Sequence, residues 1–276
     1  MEGQGEVKNI APHSARTVPA APCRAIFAAM LSDAAAPFTP LGALGEFGLI
    51  GRLTAGLPPL PPDVLCGVGD DAAVLRRGNG SVWLWSTDLL AEGVHFDRTY
   101  VPLRHLGYKA AVVNFSDIVA MGGQPHSLTV ALAVSSHYGV EALEEIYAGL
   151  RLACERYGAA LVGGDTSASR SGLVLSLSVL GTADEKDVVY RSGAKDRDLI
   201  CVSGDLGGAY AGLQILEREK RAYLENPALQ PDLAGFDYVV QRQLRPEARA
   251  DVLDALRRAG TWPTAMIDLS DGLASE

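Results

Sequence analysis

Gly67-Val68-Gly69-Asp70-Asp71-Ala72-Ala73-Val74 sets two adjacent carboxylates between glycines and an apolar run. Neighbouring side chains in a strand point to opposite faces, so both acids serve one site only if a turn re-aims them. The glycines at 67 and 69 permit such a turn. Alone, Gly-Asp-Asp reads as a polar turn between strands, because Gly and Asp dominate turns. The acids that follow change the weighing. Asp88, Asp117, Asp165, Asp268 and Asp271 each close an apolar strand pattern or sit on an apolar helix face, and acids placed that way ask for a common partner.

Working outward, Gly45 to about Gly56 predicts a short helix, stopped by the prolines at 58, 59, 61 and 62. Ser81 to Asp88 predicts a strand whose period of two puts Ser86 and Asp88 on one face and Trp83, Trp85 and Thr87 on the other. Leu103 to Met121 predicts a helix with Leu103, Leu106, Ala110, Val113 and Asp117 on one stripe. Asp117 thus falls where the pattern marks burial, and a buried carboxylate needs a cation, a metal or a cage of hydrogen bonds. A strand at Leu128 to Val134, a helix at Val140 to Tyr157, a buried strand at Ala160 to Thr166 and a strand at Leu173 to Gly181 complete a first unit. Beyond the polar stretch Thr182 to Lys195 come a strand at Asp198 to Ser203, a helix to about Arg221, a helix from Arg245 to Ala259, and a strand at Thr264 to Gly272 entering a turn.

The chain has 276 residues, 48% of them hydrophobic, and a formal net charge of -9. That balance argues against a nucleic-acid or anionic-membrane surface, which relies on clustered Lys and Arg. A phosphate ligand would need metal ions to supply positive charge. Cys23, Cys66, Cys154 and Cys201 form no C-x-x-C pair, which speaks against zinc or a disulfide framework and fits a reducing cytoplasm. No apolar run reaches the roughly 18 residues of a transmembrane helix. Residues 1–40, rich in Ala and Pro, read as a disordered extension or a mis-assigned start rather than a signal peptide, since the basic residues before Ala25 to Leu31 are diffuse.

No P-loop, kinase H-R-D with D-F-G, or G-x-G-x-x-G opening a helix is present. Aspartates with neighbouring Ser and Thr suit Mg2+ better than zinc or copper, because hard divalent ions take oxygen ligands. Any single Asp also fits a cap or a turn.

Six motifs, Gly67 to Val74, Ser86 to Phe96 (STDLLAEGVHF), Gly107 to Pro125 (GYKAAVVNFSDIVAMGGQP), Gly163 to Thr166 (GGDT), Arg191 to Ala194 and Met266 to Ala274 (MIDLSDGLA), resemble the thiamine-monophosphate kinase family in order and wording. That family lies within the superfamily of aminoimidazole ribonucleotide synthetase, selenophosphate synthetase and the hydrogenase maturation factor. The resemblance runs from about Leu44 to the last residue. It implies an α+β, two-domain synthetase-like fold: an N-terminal ATP- and Mg2+-binding mixed-sheet domain at 41–181 that pairs in a homodimer, and an incomplete C-terminal α/β domain at 182–276. It implies ATP-dependent phosphorylation of thiamine monophosphate to thiamine diphosphate by in-line transfer with several Mg2+, in the cytoplasm, with no nucleic-acid or membrane partner. The acceptor oxygen is already ionised, so no catalytic residue beyond the metal ligands is implied. By motif position the metal ligands are Asp71, Ser86, Thr87, Asp88, Asp117, Asp165, Asp268 and Asp271. ATP falls to Tyr147, Gly164, Asp165, Arg191 and Ser270, and the thiamine substrate to His95. From the residues alone, Tyr147 also fits a core aromatic, Arg191 a solvated loop, His95 a surface histidine and Asp70 a turn residue. Alternatives within the resemblance are another ATP-dependent member of the superfamily and a truncated, non-catalytic nucleotide-binding protein.

Overall fold

Leu173, Leu175, Leu177 and Val179 are buried and alternate with half-buried Val174, Ser176, Ser178 and Leu180. That period of two makes β6 (Leu173–Asp184) a central strand with one face in the core. The computed structural model describes residues 39–276. The expectation for residues 1–40 therefore lies outside the described residues, but for its last two. The chain divides at Leu57 and Pro58 into two compact units. In the first, α1 (Gly45–Thr54) forms where the sequence predicts it.

In the second unit β6 pairs on one side with β3 (Ser81–Ala91) and on the other with β4 (Gln124–Val134), both antiparallel. β2 (Ala73–Gly78) and β1 (Val64–Cys66) extend the β3 edge, and β5 (Ala160–Ala168) adds to β4 in parallel, giving the order β1-β2-β3-β6-β4-β5. A parallel pair needs a crossover, here supplied by α3 (Val140–Tyr157). α2 (Leu103–Ala120) packs with α3 and with the sheet, which explains why it is buried on nearly every side rather than along one stripe. The two helices approach backbone to backbone. A Cβ at Gly107 would run into the Ile146 carbonyl, and one at Gly149 into the Arg104 carbonyl. On the opposite face of the sheet Trp85 and Leu89 stay more than half exposed, at 54% and 52%.

After β6 the chain forms α4 (Gly208–Glu225), α5 (Asp237–Leu244) and α6 (Ala250–Ala259). α4 and α5 bury Leu216, Val240 and Leu244 together, whereas Leu253 of α6 joins the main core. Glu247, between α5 and α6, ties this part back: its Oε2 accepts from Tyr108 (3.0 Å) and Tyr157 (2.7 Å) and pairs with Arg156 at 2.8 Å.

Several expectations need correction. The Ala160 to Thr166 strand is an exposed edge rather than a buried strand, because nothing pairs beyond it among the described residues. The segments 198–203 and 264–272 have the composition of strands but no ladder partner among the described residues, and an unpaired strand does not persist. Leu199 and Ile200 accordingly stand 90% and 92% exposed. β1, β2 and α5 were not expected. β1 and β2 are short and flank the Gly-Asp-Asp turn, where glycine and acids conceal the pattern.

Candidate functional site

The Gly67–Val74 stretch turns at Gly69, whose φ of 125° suits a residue without a Cβ. Hydrogen bonds hold the turn at three points. Asp70 Oδ1 accepts the Asp71 N–H (3.0 Å), Asp70 Oδ2 accepts the Arg191 N–H (3.1 Å), and the Ala72 N–H reaches Met121 Sδ (3.0 Å). Asp70 is therefore a bracing residue of the loop, and Asp71 is carried to the start of β2 with its side chain fully buried.

β3 offers Ser86 and Asp88 from the face turned to α2, and α2 offers Asp117 from its last turn. The Ser86 hydroxyl donates to Asp117 Oδ2 at 2.5 Å. Asp268 arrives from the irregular segment after α6. That segment is held by the Trp262 indole N–H on the Asp187 carbonyl (3.0 Å), and α6 before it by Arg257 on the Gly122 carbonyl (2.6 Å). One carboxylate oxygen from each of Asp71, Asp117 and Asp268 lies within 4.8 Å of the other two.

Burial and mutual repulsion dominate the electrostatics. Burial first, then the charges of Asp88, Asp268 and Asp71, push the Asp117 carboxyl up to about 8, against the opposing Ser86 bond. Burial likewise lifts Asp71 to about 6, with Asp268 and Asp70 adding and Arg191 opposing. Asp88 and Asp268 are raised by burial too; the charge of Asp268 adds at Asp88, where His95 opposes, and the nearby Ser116 hydroxyl and Arg191 oppose at Asp268. Arg191 clamps Asp71 Oδ1 through Nε (2.9 Å) and Nη2, yet Asp71 Oδ2 is buried with no hydrogen-bond partner among the described residues. A buried, unpartnered carboxylate oxygen beside two more acids fits a hard divalent cation, which would satisfy it and offset the repulsion.

The other expected residues are placed less uniformly. Thr87 turns to the opposite face of the sheet, donating to the Leu177 carbonyl (2.8 Å) and accepting from Ser178 (3.0 Å). Gly164 and Asp165 lie on the exposed edge strand, opposite Val130 and Ala131. Tyr147 packs against the core from α3. Asp271 is exposed and outside the three-acid group. Its N–H, the Ser270 N–H and the Ser270 hydroxyl converge on one oxygen of Glu276 (3.2, 3.3 and 3.2 Å), so this turn is receptive to an anion. His95 Nδ1 accepts the Ala91 N–H (2.9 Å), so a neutral imidazole there carries its proton on Nε2. Sequence reasoning gave Asp70 as a turn residue, the part it plays in bracing the loop, but missed Ser116 and Asn114, both neighbours of Asp117 on α2. Their adjacency to acids was the available signal.

The family model for the AIR synthase related protein, N-terminal domain, matches residues 69–183. A thiamine-monophosphate kinase of Bacillus subtilis is 37% identical over 213 residues, 76% of this chain and 62% of that protein. One of Aquifex aeolicus is 36% identical over 234 residues, 84% of this chain and 69% of that protein. A solved structure of AaThiL complexed with AMPPCP and TMP superposes with a TM-score of 0.72 at 34% identity, covering 86% of this chain and 70% of that one. The mixed α/β fold matches, and the chain spans roughly two thirds of the length of these relatives, 62% of the Bacillus protein and 69% of the Aquifex one.

Proposed function

This chain belongs to the thiamine-monophosphate kinase family, and from that premise we propose that it transfers the γ-phosphoryl group of ATP to the phosphate of thiamine monophosphate, giving thiamine diphosphate. The observation that carries the reading is the convergence of Asp71, Asp117 and Asp268, with a buried Asp71 oxygen left unpartnered. The relative complexed with AMPPCP and TMP supports the choice of substrates.

In this reading Asp71, Asp117 and Asp268 hold Mg2+, with Ser86 and Asp88 beside them. Thr87, Asp165 and Asp271 are further ligands by motif position. Mg2+, when bound, supplies the positive charge that lowers repulsion between two phosphate anions and aligns them. The chain's own residues do the rest. Arg191 offers a guanidinium beside the carboxylates, and the Ser270 turn offers three converging donors for a phosphate oxygen. His95 presents Nε2–H as a donor towards the thiamine substrate. Tyr147 and Gly164 belong to the ATP side by motif position. The acceptor oxygen is an anion at neutral pH, so no general base is assigned.

Two further parts complete the proposal. The chain acts as a homodimer, for which the exposed sheet face bearing Trp85 and Leu89 is the favoured surface. It works in the cytoplasm as an N-terminal mixed-sheet domain, residues 41–181, followed by a C-terminal domain from 182. The test is ADP release from ATP and Mg2+ with thiamine monophosphate against a panel of other phosphate and carboxylate acceptors. Stimulation by thiamine monophosphate above the rest is expected. Stimulation by another acceptor instead, or nucleotide binding without turnover, would overturn the assignment.

A further inference from the structure

The paired ladder between β2 and β3 ends at Ala73 and Trp85, so β3 from Ser86 onward has β6 on one side and, among the described residues, no strand on the other. Asp88 lies in that half-free stretch. Its N–H is taken by Asn114 Oδ1 at 3.2 Å, and Asn114 Nδ2 donates to the Ala110 carbonyl at 2.9 Å. Asn114 is fully buried, and both ends of its amide are engaged. Reversing the amide would set a donor against the Asp88 N–H and an acceptor against the Ala110 carbonyl, so the orientation is fixed by its partners.

Asn114 stands three residues before Asp117 on α2, hence on the same side of the helix. Two cross-links therefore join β3 to α2 beside the acids: Ser86 to Asp117 and Asp88 to Asn114. The first bonds a carboxylate oxygen directly. The second grips backbone, and so sets how far the Asp88 end of β3 stands from the helix that carries Asp117. Like charges on two elements push those elements apart, and a strand end without a ladder partner is the part free to yield.

Resting on the metal-site reading above, we infer that Asn114 is a positioning residue that sets the divalent-cation affinity of the carboxylate group without being a ligand. Groups that orient metal ligands are commonly worth 10- to 100-fold in metal affinity. The effect belongs to the affinity for the ion rather than to fold stability alone, and that separates it from an ordinary buried amide.

The experiment titrates the full chain, free of nucleotide, with Mn2+ and follows free ion by electron paramagnetic resonance well below the melting temperature. Asn114→Leu is compared with Val112→Ala, a buried apolar core position on the same helix. Asn114→Leu is expected to weaken Mn2+ binding about 10- to 100-fold, and Val112→Ala to lower the melting temperature while leaving Mn2+ affinity unchanged. Equal affinities for Asn114→Leu and the unaltered chain would overturn the inference, as would an equal loss in Val112→Ala. Absence of Mn2+ binding in the unaltered chain would instead remove the metal site, and this inference with it. Should Asn114→Leu fail to fold, hydrogen exchange in the unaltered chain decides: the Asp88 amide is expected to be as protected as β3 amides with strand partners on both sides, and fast exchange there would refute the clip.

Discussion

Asp117→Asn should make the protein more stable without metal and unresponsive to metal. The ordinary aspartate value is 3.8, and the folded value of Asp117 is about 8. Between those values the native chain holds a proton that the unfolded chain has released, so stability falls as pH rises through the window, and the loss is complete above about pH 8. At 1.36 kcal/mol per unit, a window of about four units sets a ceiling of about 5 kcal/mol. Protonating Asp117 also eases the repulsion on Asp71, Asp88 and Asp268, and a buried amide keeps some desolvation cost, so the expected gain for the substitution is about 1–3 kcal/mol near pH 8. Asn retains an oxygen to accept from Ser86. For a chain of this size the melting temperature should rise by about 2–10 °C in chelator, with a smaller rise near pH 5. Thermal melts of both proteins in chelator and in excess Mg2+, at the two pH values, measure this. If the variant is less stable than the parent near pH 8, or has the same slope with pH, the charge-repulsion reasoning is wrong. If Mg2+ stabilises the variant as much as the parent, Asp117 is not a ligand.

Gly149→Ala should lower the stability by about 1–3 kcal/mol, because the new methyl meets the Arg104 carbonyl at a backbone crossing; a shifted urea midpoint with an unchanged slope would show it. Arg191→Met should weaken nucleotide binding about tenfold in calorimetric titration, the worth of one charge-assisted bond, and an unchanged affinity would return Arg191 to the role of a brace for Asp71. Glu247→Gln should cost about 1–3 kcal/mol, since one carboxylate serves Tyr108, Tyr157 and Arg156 together, and tyrosine fluorescence during unfolding would report the loosened contact.

Periodicity made the central elements legible. α3 falls on Val140–Tyr157 as expected, and β3, β4 and β6 are found with extended ends, because a period of two or of 3.6 is written in every residue of such elements. The inward, half-buried placing of Asp117 and the shared face of Ser86 and Asp88 were readable for the same reason. What escaped depends on partners far along the chain. Whether 198–203 is a strand depends on a neighbour rather than on its own residues, and whether Asp70 or Asp71 turns inward depends on Arg191, 120 residues on. The motif resemblance supplied Asp268, yet no pattern in the sequence places its oxygen within 4.8 Å of those of Asp71 and Asp117.

That last distance bears on how the molecule assembles. Asp71 in the turn before β2, Asp88 on β3 and Asp117 on α2 stand close in sequence, whereas Asp268 must be brought from beyond α6, across a span of about 150 to 200 residues. Closing a loop of that size costs conformational entropy, and this closure ends by pressing a fourth carboxylate against three others. The closing step thus runs uphill in charge as well as in order, held at its end by Trp262 and Arg257. Refolding should therefore show a late phase that quickens with salt, in which the last element to dock is the one that completes the acidic group.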